Sequence, residues 1–573
     1  MGLINKKDII LALEKIAVYL EIKGENSFKV SAYRKAANAL ERDERTIEEI
    51  EDPSTLQGIG KGTAAVIQEI LETGQSKLLI DLMEELPSGL LPLLKVPNLG
   101  GKKIGKLYRE LNVIDVETLQ KACEDKKVQK LAGFGEKTEE KILSALADFG
   151  KRPERLTMSQ VLPIGDLILT WLSEMKGIQR YELAGSFRRA RETVKDLDFI
   201  ISTDTPEAVG KQLVEIDNIK KVVSHGETKI SVEFQFDDII VPADFRMVKD
   251  NEFATTLHHF TGSKDHNVQM RQIAKSRGEK ISEYGVENEE TGEIKTFESE
   301  TAFYKHFNLH FIPPEIREGK EEISTFENQH QLVSFKDIRA DLHMHTTWSD
   351  GAHSIEEMIE ACRKQGYEYM AITDHSKYLR VANGLTVERL KRQHEEIRII
   401  NEKYKDFTVF TGIEMDILPD GSLDYEDNLL KDIDFVIASI HSSFQQDVAT
   451  IMGRLQGAME NPHVDMIAHP TGRVIGRRTG YPVDMERLIE MAVDTNTILE
   501  LNGNPNRLDL SAEWVKKAQD KGAKIAVNTD AHRYETLDHM LIGIKTARRG
   551  WLEKETVVNT WTVNELQQFI NRT

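Results

Sequence analysis

From residue 339 onward, short apolar runs keep ending on a histidine or a carboxylate. "YMAIT" leads into Asp374-His375, "FTVFTGI" into Glu414, "FVIASI" into His441, "VDMIA" into His469 and "IAVNT" into Asp530-Ala531-His532. Ahead of them stands Asp341-Leu342-His343-Met344-His345, followed by Asp350. Helical segments separate the runs. This alternation predicts a parallel β/α architecture, a barrel, because parallel neighbours need a crossover. In such a barrel the carboxyl ends of the strands converge on one face. Six imidazoles (His343, His345, His375, His441, His469, His532) and three carboxylates (Asp350, Glu414, Asp530) would share one bowl. That donor set suits Zn²⁺, Mn²⁺ or Fe²⁺. Glu414 is placed to bridge two ions, and ions that acidify water supply a nucleophile for phosphorus. A lone histidine is more often structural; His353, His394, His463 and His539 lack the strand-end context and are read that way.

At 573 residues the chain exceeds one hydrophobic core. Cys123 and Cys362 are too few for a disulfide framework. No run of about 18 apolar residues and no signal-peptide core is found, which predicts a cytoplasmic enzyme without a membrane partner. The net charge of −20 argues against a globally basic nucleic-acid binder. Residues 1–150 are the least acidic part, with 22 Lys+Arg against 25 Asp+Glu. Phosphate binding must therefore come from local cations, backbone amides and metal ions.

Residues 1–150 read as amphipathic helices punctuated by glycine. Gln57-Gly58-Ile59-Gly60-Lys61-Gly62, Pro97-Asn98-Leu99-Gly100-Gly101-Lys102 and Ala132-Gly133-Phe134-Gly135-Glu136-Lys137 are three similar segments, each preceding a helical pattern. Glycine allows a tight turn and close approach of backbone amides to a phosphate, and the helix N-terminus adds a positive dipole end. The pattern resembles the helix-hairpin-helix, a sequence-independent DNA-backbone binder, with Gly58, Gly60, Gly100 and Lys102 as DNA-contact candidates. Such contacts position without reading sequence.

The middle of the chain turns strand-like. Gly185-Ser186-Phe187-Arg188-Arg189 precedes Asp196-Leu197-Asp198, and Asp244 with Arg246 follows on another expected strand. Residues i and i+2 of a strand share a face, so Asp196 and Asp198 aim at one point. Like charges held together need cations, and Mg²⁺ prefers carboxylates plus substrate phosphates. Gly185, Ser186 and Arg189 are candidates to cradle a triphosphate.

Residues 1 to about 315 resemble the family X DNA polymerases. The resemblance rests on Gly-Ser-x-Arg-Arg, the Asp196/Asp198/Asp244 trio with Arg246, and Phe260-Thr261-Gly262-Ser263 with Asn267 and Arg271. It implies catalytic Asp196, Asp198 and Asp244 holding two Mg²⁺ or Mn²⁺ ions. It also implies a nucleotide pocket including Phe260 and Gly262, Asn267 at the incoming base, and Arg271 on the template side. Lys29 matches a basic residue suited to a 5′-phosphate. Two departures stand out. His259 replaces a tyrosine of many relatives beside Phe260, where the family excludes a 2′-OH. Val66 replaces the lysine that forms a Schiff base with an abasic sugar, which argues against lyase activity.

Residues 339–573 resemble the PHP (polymerase and histidinol phosphatase) family, whose nine-ligand pattern they fill without a gap. This implies a distorted (β/α)₇ barrel holding up to three ions, Mn²⁺ or Zn²⁺.

The expectation is a multidomain α+β and α/β chain. Helix-hairpin-helix (1–90), fingers-like (91–152), nucleotidyltransferase palm (153–250) and thumb (251–315) domains lead through a linker (316–338) to the PHP barrel (339–573). The expected function is gap filling in DNA repair by a monomer acting on gapped or primer-template DNA with deoxynucleoside triphosphates. The PHP domain adds a 3′→5′ exonuclease, with abasic-site cleavage or 3′-phosphate removal as related chemistry. The alternatives are a small-molecule phosphatase on the PHP side and a non-catalytic DNA-end scaffold.

Overall fold

The computed structural model describes residues 6–43, 47, 50, 52–96, 99–149, 155–236, 239–326 and 331–570. Pro97 and Asn98 of the second glycine segment lie outside this set.

The N-terminal part is helical. Helices Lys6–Lys23, Ser27–Arg42, Lys61–Thr73, Gly101–Leu111 and Glu136–Phe149 are among those contributing to one apolar cluster, from Ile9 to Leu146. The helices on either side of residue 90 thus share a core. Gly105 shows why: a Cβ there would collide with the Ile22 carbonyl, so only glycine lets Gly101–Leu111 lie this close to the first helix.

The central sheet has five strands: β1 (Arg180–Leu183), β2 (Leu197–Ser202), β3 (Ile219–His225), β4 (Lys229–Phe236) and β5 (Ile239–Val248). Their order is β1-β2-β5-β4-β3. Only β2 and β5 run parallel, and their register places Asp198 beside Asp244. Phe199, Phe234 and Phe245 anchor these strands in the core beneath. The strand-like middle is not all strand: after Leu183 the chain turns into a helical turn, Gly185–Arg188. Residues 253–307 are mainly helical but add a small antiparallel sheet absent from the sequence expectation.

The segment 316–338, expected as a linker, is packed. Arg317 and Val333 are fully buried and Glu322 nearly so. Glu322 lies 2.7 Å from His266 Nδ1, and Arg317 lies 2.6 Å from Glu300. The polar composition misled because its charges are consumed in pairs.

The C-terminal module is a near-closed barrel of seven parallel strands in chain order: β6 (Ala340–Asp341), β7 (Tyr369–Ile372), β8 (Thr408–Asp416), β9 (Phe435–Ser439), β10 (Met466–Ile467), β11 (Ile498–Asn502) and β12 (Ile525–Asn528). This is the distorted (β/α)₇ form. The seam between β6 and β12 is joined by a parallel bridge at Met344 and Ala531. It is completed by side chains: Asn559, fully buried, donates from Nδ2 to Ala340 O (3.0 Å) and Val527 O (2.9 Å) and accepts from Val527 N (2.7 Å). Asn559 therefore substitutes for missing ladder bonds. Asn559→Ala leaves these buried groups unpaired and should destabilise the barrel by about 1–3 kcal/mol. A lowered thermal-unfolding midpoint of the full chain checks this; an unchanged midpoint refutes it.

Candidate metal centres and nucleotide cavity

In the central sheet, β2 and β5 deliver Asp198 and Asp244 side by side, and Asp196 precedes β2 on the same face. Burial first, then Asp196 and Asp244, pushes Asp198 up to about 7; burial and Asp244 also raise Asp196. The trio is thus short of positive charge. Lys229 on β4, which sequence reading missed, sits 2.6 Å from Asp244 Oδ2. Gly185 is positioned by a positive φ of 61° and by contact: a Cβ would strike the Asp198 carboxylate. This glycine lets the turn of Gly185–Arg188 reach the acid pair.

A cavity of about 470 Å³ opens here. It is lined by Gly185, Ser186, Arg189, Asp196 and Asp198 from the sheet module and by Phe260, Gly262, Asn267 and Arg271 from the helices that follow. His259 also lines it, its backbone carbonyl accepting from Asn267 Nδ2 (2.8 Å) and its ring Nε2 lying 4.0 Å from Glu283. The Arg246 guanidinium stacks 3.9 Å from the Phe260 ring centroid, tying β5 to the helix Phe253–Thr261. Arg189 is not a free cation: it donates to Thr261 O and, from Nε, to Glu318 Oε1 at 3.3 Å.

In the N-terminal part, Gly60 and Gly100 are N-caps of Lys61–Thr73 and Gly101–Leu111, each with open space on its side-chain face. Gly58 has φ 113°, a turn conformation that favours glycine. Lys102 is exposed at a helix start; Lys29 is exposed and lies 3.4 Å from Glu25. Val66 is half-buried against the helical core.

At the barrel, the strand ends gather the donors into three groups. His345, Asp350, His375 and His532 form one; His343, His345 and Asp530 a second; His375, Glu414 and His441 a third. Within each group the donor atoms lie within 4.8 Å of one another. His469 joins through Nε2, 3.0 Å from Glu414 Oε1. All nine residues expected from the sequence therefore meet at one end of the barrel. His343 Nε2, His375 Nδ1 and Glu414 Oε2 are buried with no hydrogen-bond partner. Orphaned donors facing carboxylates at this density fit divalent cations.

Sequence reading missed the supporting carboxylates. Glu500 on β11 lies 2.7 Å from His343 Nδ1 and accepts from His469 N at 2.7 Å. Asp416 lies 3.3 Å from His441 Nδ1. Both carried a usable signal: a charge inside an apolar strand, and for Asp416 the i+2 spacing from Glu414. Burial disfavours a charged imidazole, but Glu500, Asp530 and Glu414 hold His343 well above its ordinary range. His441 is lifted to about 10 against burial by Glu414 and Asp416. Metal binding here must displace protons. Asp374 is spent locally, accepting from Thr346 Oγ1 (2.6 Å) and Ser349 Oγ (2.5 Å). His394, read as structural, has Nε2 3.2 Å from the Gly412 carbonyl.

Helix-hairpin-helix modules, a carboxylate-bearing palm with a thumb, and a histidine-rich barrel together define a DNA polymerase class with an appended PHP domain. The chain matches the helix-hairpin-helix domain family over residues 4–76, the SAM-like helix-hairpin-helix tandem over 90–148, the DNA polymerase beta thumb over 256–318 and the PHP domain over 341–502. It is 57% identical over 568 residues to the DNA polymerase/3′-5′ exonuclease PolX of Bacillus subtilis (strain 168), covering 99% of this chain and 100% of that protein. A probable phosphatase of Thermoanaerobacter sp. (strain X514) is 28% identical over 244 residues, 40% of this chain and 93% of its own length. One from Caldanaerobacter subterraneus is 29% identical over 242 residues, 40% of this chain and 90% of its own. The chain belongs to the PolX family of family X DNA polymerases.

Two outcomes follow. Asp198 is protonated more readily folded than unfolded, so ionising it costs folded stability as pH rises from about 4 through 7. The cost, from a shift of 3.8 to about 7, is on the order of 4 kcal/mol well above pH 7. Asp198→Asn removes it: in EDTA the variant should gain on the parent in urea midpoint at pH 8 and much less at pH 5, and equal gains would refute the assignment. Glu500→Gln should weaken Mn²⁺ binding about 10–100-fold, read as free Mn²⁺ by electron paramagnetic resonance; unchanged binding would show that Glu500 does not orient His343.

Proposed function

We propose that the chain fills short DNA gaps with its palm and trims 3′ ends by phosphodiester hydrolysis at its barrel, in DNA repair. The observation that carries this is two separate cation-demanding centres on one chain of the PolX family: the aspartate trio at a nucleotide-sized cavity, and the nine-residue bowl. The full-length relative is a DNA polymerase/3′-5′ exonuclease.

In this reading Asp196, Asp198 and Asp244 would hold two Mg²⁺ or Mn²⁺ ions, whose charge would lower the cost of primer 3′-OH attack on the α-phosphate and of the departing pyrophosphate. Gly185, Ser186 and Arg189 receive the triphosphate. Phe260 and Gly262 flank the sugar, Asn267 faces the base and Arg271 the template side. Arg246, expected from the sequence as a DNA-contact residue, is held against Phe260 at the thumb-side wall, where its charge serves the DNA backbone. Gly58, Gly60, Gly100 and Lys102 contact the DNA backbone through amides and charge, and Lys29 suits a 5′-phosphate. His343, His345, Asp350, His375, Glu414, His441, His469, Asp530 and His532 would hold up to three Mn²⁺ or Zn²⁺ ions, whose chemistry would be to make water a nucleophile toward phosphorus. The chain acts as a monomer in the cytoplasm; among the described residues no helix is long and apolar enough to cross a membrane.

The barrel's similarity to probable phosphatases favours a second reading of that site, removal of a terminal 3′-phosphate. A 3′-phosphate primer compared with a 3′-hydroxyl primer separates the two.

On gapped DNA with Mn²⁺, the Asp196→Ala/Asp198→Ala pair should cut extension about 10³-fold or more while 3′ degradation stays within about twofold. His343→Ala/His345→Ala should do the reverse. Loss of both activities in either variant, or of neither, defeats the two-centre reading.

A further inference from the structure

Arg189 borders the nucleotide cavity, but it does not stand alone. Its guanidinium is 14% exposed and faces Glu318, whose carboxylate is shared by three arginines: Arg189 at 3.3 Å, Arg191 at 3.0 Å and Arg549 at 2.7 Å. Arg549 belongs to the barrel module, in the last turn of the helix His539–Arg549, where a cation is favoured by the helix dipole. Its Nη1 also donates to the Arg189 carbonyl at 3.1 Å. Arg549 thus grips Arg189 twice: directly at the backbone, just after the turn Gly185–Arg188, and through Glu318 at the side chain. Burial alone would raise Glu318; its arginine partners hold it below the usual carboxylate range. The grip is rigidly backed, because Ile542 of the same helix and Leu508 of the barrel are buried within the apolar cluster of the palm.

We propose that Arg549 of the barrel module is a positioning residue for the polymerase centre, fixing Arg189 through Glu318 so that the triphosphate cradle is preformed only when the two modules are docked. The proposal rests on Arg189 as a triphosphate-binding group. Preorganised charge lowers the cost of binding, so the effect falls on nucleotide affinity. It does not touch the barrel's own donors. Arg548, the preceding residue, offers an internal control: across the same interface it pairs with Glu315 at 2.9 Å, while Arg549 takes Glu318 and the Arg189 carbonyl.

The test is steady-state gap filling by the full chain, varying the deoxynucleoside triphosphate, with 3′ degradation and the thermal midpoint measured on the same preparations. Arg549→Ala should raise the nucleotide KM about tenfold, the scale of one lost charge-assisted hydrogen bond. Its kcat and its 3′ degradation should stay within about twofold. Arg549→Lys should recover part of the KM, and Arg548→Ala should leave it unchanged. An equal KM rise in Arg548→Ala and Arg549→Ala would reduce the effect to a loosened interface and overturn the proposal. So would a parallel fall of degradation and thermal midpoint in Arg549→Ala with no rescue by lysine. Arg189→Ala separates the two levels. If it raises KM while Arg549→Ala does not, the clasp is wrong; if it leaves KM unchanged, the triphosphate role of Arg189 is wrong and the proposal falls with it.

Discussion

Countercharge is the constraint on which both centres depend. Carboxylates placed side by side on parallel strands, and imidazoles sunk at the mouth of a barrel, are each costly without ions or partners of opposite sign. The protein answers differently at the two sites. In the palm, one lysine, Lys229, faces Asp244 while Asp198 becomes a weak acid. In the barrel, acids and imidazoles face one another, and the carboxylates lift His343 and His441 above the usual imidazole range. A cation entering the palm fills a deficit. Metal competes with protons at both centres, at a raised aspartate in the palm and at several imidazoles in the barrel, so the two differ in how many protons metal binding releases.

Backbone direction explains how the donors arrive. β2 and β5 are the only parallel neighbours of an otherwise antiparallel sheet, and that exception sets Asp198 beside Asp244. In the barrel every neighbour is parallel, so every strand spends its carboxyl end on the bowl. The seam is where this regularity fails, and there Asn559 and Asn528 stand in for ladder bonds.

The donors themselves were legible because the period of a strand and the convergence of parallel ends turn sequence spacing into geometry. Asp196 and Asp198, and the nine histidines and acids after residue 340, needed no tertiary information beyond that rule. What escaped were residues whose meaning lies in a partner far along the chain. Glu500 looks like an odd charge in an apolar strand until His343, 157 positions away, is placed against it. Residues 316–338 read as a linker because a run of Glu, Lys and Arg resembles solvated chain. Only the fold shows Glu318 enclosed by arginines and Glu322 seated on His266. The shared core of the N-terminal helices was hidden similarly, since glycine at 105 signals flexibility in sequence and close packing in space.

The packed strap also changes what the two modules are to each other. A tether would leave each centre to work at its own geometry, with a primer end finding the second by diffusion at the effective concentration that the tether allows. Here Glu315 and Glu318 bind Arg548 and Arg549, Arg473 of the barrel lies 2.7 Å from Glu192 of the palm, and apolar residues of both modules share one cluster. The two centres are thus held on modules that meet through ion pairs and a shared apolar contact, not through a tether alone.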